Sequence, residues 1–165
     1  MSYTQSSAGD ETKHPLDAFR KALLLVLDET FVQVHGLMLD RGTSFFETLA
    51  TIAPEEASTR FSNRSAPLSA QVNHTRYYID ILIELVRTGQ HPETDWDASW
   101  NVAEVTEIEW QQLISRLRTS YEQLREIAGS FDRWDADSIA GAFALVGHSL
   151  YHLGEIRQGL GFLRG

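Results

Sequence analysis

Apolar residues recur along this chain at steps of three and four, the spacing that lines up one face of a helix. Pro15 suits a helix start, where its missing N–H costs nothing, and Leu16, Phe19, Leu23, Val26, Leu27 and Thr30 follow it in register. The pattern loosens over residues 31–42, where β-branched residues and Gly36 intrude, and resumes at Phe45, Phe46, Leu49 and Ile52 before Pro54. This predicts either one long broken helix or two short ones flanking a loop. Residues 53–66 read as polar and turn-like. Pro67 then opens a second helix with the stripe Leu68, Val72, Thr75, Ile79, Leu82, Ile83 and Val86, which Gly89 can end in a left-handed conformation.

Residues 90–101 read as a loop rich in Asp and Trp. Behind it, Thr106 and Glu109 have the spacing of a capping box, in which each side chain satisfies the other's free N–H. Trp110, Leu113, Ile114, Leu117, Tyr121, Leu124 and Ile127 continue that helix up to Gly129. Asp135 or Asp137 can cap a last helix through Ile139, Phe143, Val146, Leu150, Leu153, Ile156 and Leu160. Four main amphipathic segments without alternating strands predict an all-α fold, a four-helix bundle whose first helix is broken. Residues 1–14 are polar with little to bury, and are expected to form a flexible tail before a single helical domain at 15–165.

Composition removes several function classes. The chain has no cysteine, which excludes a thiolate zinc site, an iron–sulfur cluster and a catalytic thiol, and fits a reducing compartment. Its 14 basic against 23 acidic residues give a net charge of −9, too acidic to offer a phosphate-binding stripe, so nucleic acid is not expected as a partner. The longest compact apolar run, residues 22–27, falls far short of the ~20 residues that span a bilayer, and the polar start has no signal-peptide core. A cytoplasmic location without membrane association is the expectation.

Chemistry then rests on the histidines. His14, His35 and His91 have no partner spacing and read as solvated or capping residues. His148 and His152 lie four apart on the last helix, so their imidazoles stack one turn apart on nearly one face and can reach one ion. Chance alone yields roughly 0.2 such pairs in a chain of this composition, so the pair needs support. Its apolar neighbours Leu150, Leu153 and Ile156 supply some, because unpaired imidazoles on a buried helix are costly. His74, near the start of the second helix, is the natural third ligand, or else a satisfied histidine at an interhelical seam. Three neutral imidazoles with open coordination positions suit Zn²⁺, Ni²⁺ or Fe²⁺. Glu155 lies near the same face, as a hydrogen-bond acceptor for a ligand, a general base, or an exposed helical carboxylate. Paired Glu-x-x-His motifs of di-iron bundles are missing, and Asp132, Asp135 and Asp137 lack the spacing of a calcium loop. Trp96, Trp100 and Trp110 could wall a pocket beside a metal, but packing in the core or between helices is the stronger expectation.

The segment Ala70-Gln71-Val72-Asn73-His74 and the stretch from Gly147 to Ile156, with His148, His152 and Glu155, resemble the DinB/YfiT-like superfamily of metal-dependent four-helix bundles. The order and spacing of helices are similar across residues 15–163. The segment Thr43 to Ala57, followed by Asp95 to Trp100, resembles one subgroup of it. This resemblance implies metal ligands at His74, His148 and His152, often with nickel or zinc, and commonly a homodimer. It implies no single reaction, since relatives include transferases using low-molecular-weight thiols and a thiol-dependent isomerase. Glu155 departs from the family's frequent Gln. The function expected is a metal-dependent transferase or hydrolase that activates a small thiol or water for a small-molecule substrate. A non-enzymatic helical module, with a structural metal or none, is the alternative.

Overall fold

The computed structural model describes residues 15–165, so the expected tail over 1–14, with His14, lies outside the described residues. The described chain is all-helical: α1 (Pro15–Phe31), α2 (Phe45–Leu49), α3 (Pro54–Ser58), α4 (Leu68–Thr88), α5 (Trp96–Ser99), α6 (Glu107–Ser130) and α7 (Ala136–Arg164). Among the described residues there is no strand. Both α1 and α4 pack against α6 and α7. The core between these four long helices includes Leu27 and Phe31 of α1, Ile79 and Ile83 of α4, Leu113 and Leu117 of α6, and Leu153 and Ile156 of α7.

The predicted punctuation holds where local chemistry is strong. Gly89 closes α4 at φ 71°, a left-handed conformation that only glycine adopts without a Cβ penalty. Thr106 and Glu109 form their capping box at the start of α6, and Asp135 caps α7 by accepting from the Ser138 N–H. Trp110 is fully buried and donates its indole N–H to the Ile52 carbonyl at 3.0 Å, which ties α6 to the turn after α2.

Three parts of the chain differ from the pattern. The stretch 53–66 is not only turns, because Pro54 starts the short helix α3 and Glu56 accepts from the Ala53 N–H at 2.9 Å. The same carboxylate receives Arg164 at 2.7 Å, fastening the end of α7 to α3. The loop at 90–101 contains α5, capped by Asp95. On α7 the predicted stripe is met in part: Leu153, Ile156 and Leu160 are buried, but Phe143 is 68% exposed, and Leu145, Ser149 and His152 also face inward. Apolar residues encircle α7, so periodicity alone could not orient it.

Residues 31–42 owe their shape to Glu29. This carboxylate is fully buried at the end of α1, yet it accepts backbone N–H groups from His35 (3.1 Å), Leu37 (3.0 Å), Met38 (2.7 Å) and Leu39 (2.9 Å). Burial alone would raise its pKa, but the four donors outweigh it and hold the carboxyl at about 2. A folded pKa below the usual 4.5 means that the contribution to stability is complete above that value and fades as pH falls toward 2. Glu29→Gln should therefore melt below the wild type at neutral pH, with the gap shrinking as acid is added. Glu29→Ala should in addition expose residues 32–41 to limited proteolysis. Equal melting temperatures at neutral pH would remove this role from Glu29.

Candidate metal centre

The first half of α4 is buried on nearly every side, because the chain after α5 lies across it. Ser69 Oγ donates to the carbonyls of Val102 (3.3 Å) and Ala103 (3.1 Å), and Asn73 Nδ2 donates to that of Ser99 at 2.7 Å. His74, on the second turn, is 6% exposed and points toward α7. There it meets His148 and His152, with ring centres 5.2 and 4.9 Å away, while the α7 pair is 4.5 Å apart. One ring nitrogen from each histidine lies within 4.8 Å of those of the other two.

Neighbouring groups fix which nitrogens are free. Ser99 Oγ donates to the Trp96 carbonyl at 2.5 Å, so toward His74 Nδ1, at 2.7 Å, it acts as acceptor. Gln71 Oε1 can only accept, and it takes the Nδ1–H of His152 at 2.6 Å. Both rings thus carry their proton on Nδ1 and keep a lone pair on Nε2. His148 Nε2 is buried without a hydrogen-bond partner. An unpartnered polar atom in such a place needs a reason, and a role as metal ligand supplies one. Burial also lowers the pKa of His74 to about 4 and of His152 to about 3, with further lowering by neighbouring His148, and burial lowers that of His148. At neutral pH all three are uncharged donors, the form that binds a divalent transition ion.

Aromatic rings enclose this cluster. Trp100 stacks on His74 and Tyr78 on His148, each at 4.0 Å, and Trp96 and Tyr151 stand 5.9 Å from His74 and 4.9 Å from His152. Glu155 Oε2 lies 3.2 Å from His152 Nδ1, and Glu155 Oε1 accepts from the Tyr151 hydroxyl at 2.9 Å. Trp96 and Trp100 therefore belong beside the histidines rather than to the core, whereas Trp110 is a core residue as expected. His35 is bound to Asp28 at 2.6 Å and His91 is exposed in its loop, so neither joins the cluster. A groove of about 510 Å³ runs elsewhere, between Leu39 and Asp40 on one side and Leu150, Gly154 and Arg157 of α7 on the other.

Ser99, Gln71 and Tyr78 were not singled out by the sequence. Gln71 sits three residues before His74, hence on nearly the same helical face, and that spacing could have marked it. Ser99 is 25 residues from His74 and carries no such signal. No family model, curated protein or solved structure matches the chain.

Ser99→Ala should weaken zinc or nickel binding by about 10–100-fold, the usual effect of removing the partner that orients a ligand imidazole. Competition against a chromophoric chelator measures this, and unchanged affinity would deny Ser99 that role. In chelator-treated protein, acid should destabilise the fold through the same rings. Above the ordinary pKa of 6.5 both folded and unfolded chains hold neutral imidazoles, but below it the unfolded chain takes up protons first. His74 and His152 should each subtract on the order of 1–2 kcal/mol by about pH 5. Melting curves from pH 7 to about 5 test this, and a flat profile would contradict it.

Proposed function

We propose that this chain is a metal-dependent enzyme of the DinB/YfiT-like kind. In this reading α1, α4, α6 and α7 are its four-helix bundle, and His74, His148 and His152 hold one divalent ion, zinc or nickel first and iron second. The observation that carries the reading is the convergence of three uncharged imidazoles on one point, with His148 Nε2 buried and otherwise unpartnered. Three protein ligands leave open coordination positions, as at catalytic rather than structural sites. When bound, such an ion supplies Lewis acidity that lowers the pKa of a small thiol or water.

The chain's own residues would do the rest. Ser99 and Gln71 hold His74 and His152 in the tautomer that presents Nε2. Among the described residues, Glu155 is the one carboxylate in contact with a ligand histidine, and it is partly open to solvent. Its contact is at Nδ1, on the far side of the ring from Nε2, so in this reading it orients the His152 imidazole and strengthens it as a donor, with the Tyr151 hydroxyl donating to its other oxygen. Trp96, Trp100 and Tyr78 restrict water around the rings.

Elemental analysis of the purified protein should find about one transition ion per chain, and His148→Ala and His152→Ala should each lose it. Full occupancy in both variants would overturn the ligand assignment. Cobalt substitution then reports on the open positions, since an exchangeable thiol or anion changes the visible spectrum. A spectrum indifferent to added ligands would indicate a structural ion and a non-enzymatic module. With a responsive spectrum, thiol conjugation to a panel of electrophiles, run beside ester and amide hydrolysis, separates transferase from hydrolase.

A further inference from the structure

Away from the histidines, a second concavity holds donors that nothing in the described chain uses. A pocket of about 260 Å³ lies between the residues around α2 and the end of α7. Its lining includes Thr43, Thr48, Thr51, Arg157 and Arg164, and no carboxylate. Thr48 is only 5% exposed, yet its hydroxyl makes no hydrogen bond among the described residues. The other two hydroxyls have spent their hydrogens, Thr43 on the Asp40 carbonyl at 2.5 Å and Thr51 on the Thr48 carbonyl at 2.9 Å. Arg164 is likewise committed, to Glu56 and to the Thr51 carbonyl. Arg157 is not, since among the described residues its guanidinium has neither a hydrogen-bond partner nor an ion pair. A nearly buried hydroxyl without a partner needs a reason, and it shares this pocket with an unused guanidinium. What both lack is an acceptor, and the uncompensated charge is positive on a chain of net charge −9.

Arg157 and Gly161 also line the groove of about 510 Å³ described above, so pocket and groove meet at these two residues. A Cβ on Gly154 or Gly161 would meet nothing within 4 Å, which leaves the α7 side of the groove open. Leu39, Leu150 and Leu153 give it apolar walls, while the Asp40 carboxylate repels an anion from that end. Arg157 follows His148 by nine residues and Gly161 follows His152 by nine, about two and a half helical turns. This face of α7 therefore points away from the candidate metal centre. We propose that the joined cavities bind an organic phosphate, its phosphoryl head on Arg157 and Thr48 and its short apolar body along Leu39 and Leu150. A phosphoryl group can set two oxygens on the guanidinium fork and keep a third for the Thr48 hydroxyl.

Calorimetry on the full chain, as purified and after chelator treatment, tests this with hexyl phosphate, inorganic phosphate, heptanoate and hexanol. Hexyl phosphate should bind in both preparations, at least about tenfold tighter than inorganic phosphate or hexanol and tighter than heptanoate. Arg157→Gln should weaken it at least about tenfold. Thr48→Val should weaken it about threefold without lowering the melting temperature, because the hydroxyl has no hydrogen bond in the fold to lose. Gly161→Leu, which fills the junction of the two cavities, should abolish binding with the helical circular dichroism intact. Absence of hexyl phosphate binding, an affinity no tighter than for inorganic phosphate or heptanoate, or one unmoved by Arg157→Gln or by Gly161→Leu would overturn the proposal. Binding lost on chelator treatment would do the same, since it would place the phosphate on an ion at the histidines.

Discussion

Much near the candidate centre follows from burying two imidazoles and half-burying a third where α4 meets α7. An imidazole deprived of water must either find hydrogen-bond partners or stay uncharged and bind something else. Here both answers are used. Two rings give their Nδ1 protons to Ser99 and Gln71, and the third keeps a ring nitrogen with no partner. Placing Ser99 against His74 requires a turn of chain over α4, and that requirement accounts for α5, for the Asn73 contact to the Ser99 carbonyl and for the burial of the first half of α4. Two of the three rings are thereby oriented by hydrogen bonds, and the third is held by packing against Tyr78.

The long helices were legible because their signals are local. Proline and glycine punctuate α1 and α4, a capping box starts α6, and the apolar faces of α4 and α6 repeat at the helical period. The His148–His152 pair was legible for the same reason, since four residues on a helix is a fixed spatial offset. What failed to show depends on contacts distant in sequence or on groups doing unusual work. Glu29 looks like any polar residue near a helix end, and only the folded loop reveals that it receives four backbone donors. The orientation of the first half of α7 was hidden because apolar residues surround it, and Phe143 was misassigned to the core as a result. Trp96 and Trp100 were expected to pack internally, because nothing in their spacing ties them to a histidine more than 20 residues earlier.

The proposed DinB/YfiT-like reading comes from the sequence pattern, and the geometry of the cluster supports the part of it that concerns a metal site. The geometry would suggest a transition-metal site even without the resemblance, through the neutral donors and the unpartnered nitrogen. The resemblance adds the expectation of chemistry with small nucleophiles. Glu155, where that family often has Gln, gives the cluster a negative neighbour at His152.

The turn at 95–100 is fastened to α4 by the same side chains that organise the candidate ligand. Tyr77 accepts the Asp95 N–H at 2.9 Å, Asn73 holds the Ser99 carbonyl, and His74 itself is both the third fastening and one of the three prospective donors. Ordering this turn and aiming His74 are therefore a single event, and linkage makes the relation reciprocal. An ion that fixes His74 tightens the turn and the indole wall it carries. A molecule gripping that wall from outside raises the grip on the ion by the same factor. Two ligands that never touch one another would thus bind cooperatively through one four-residue helix.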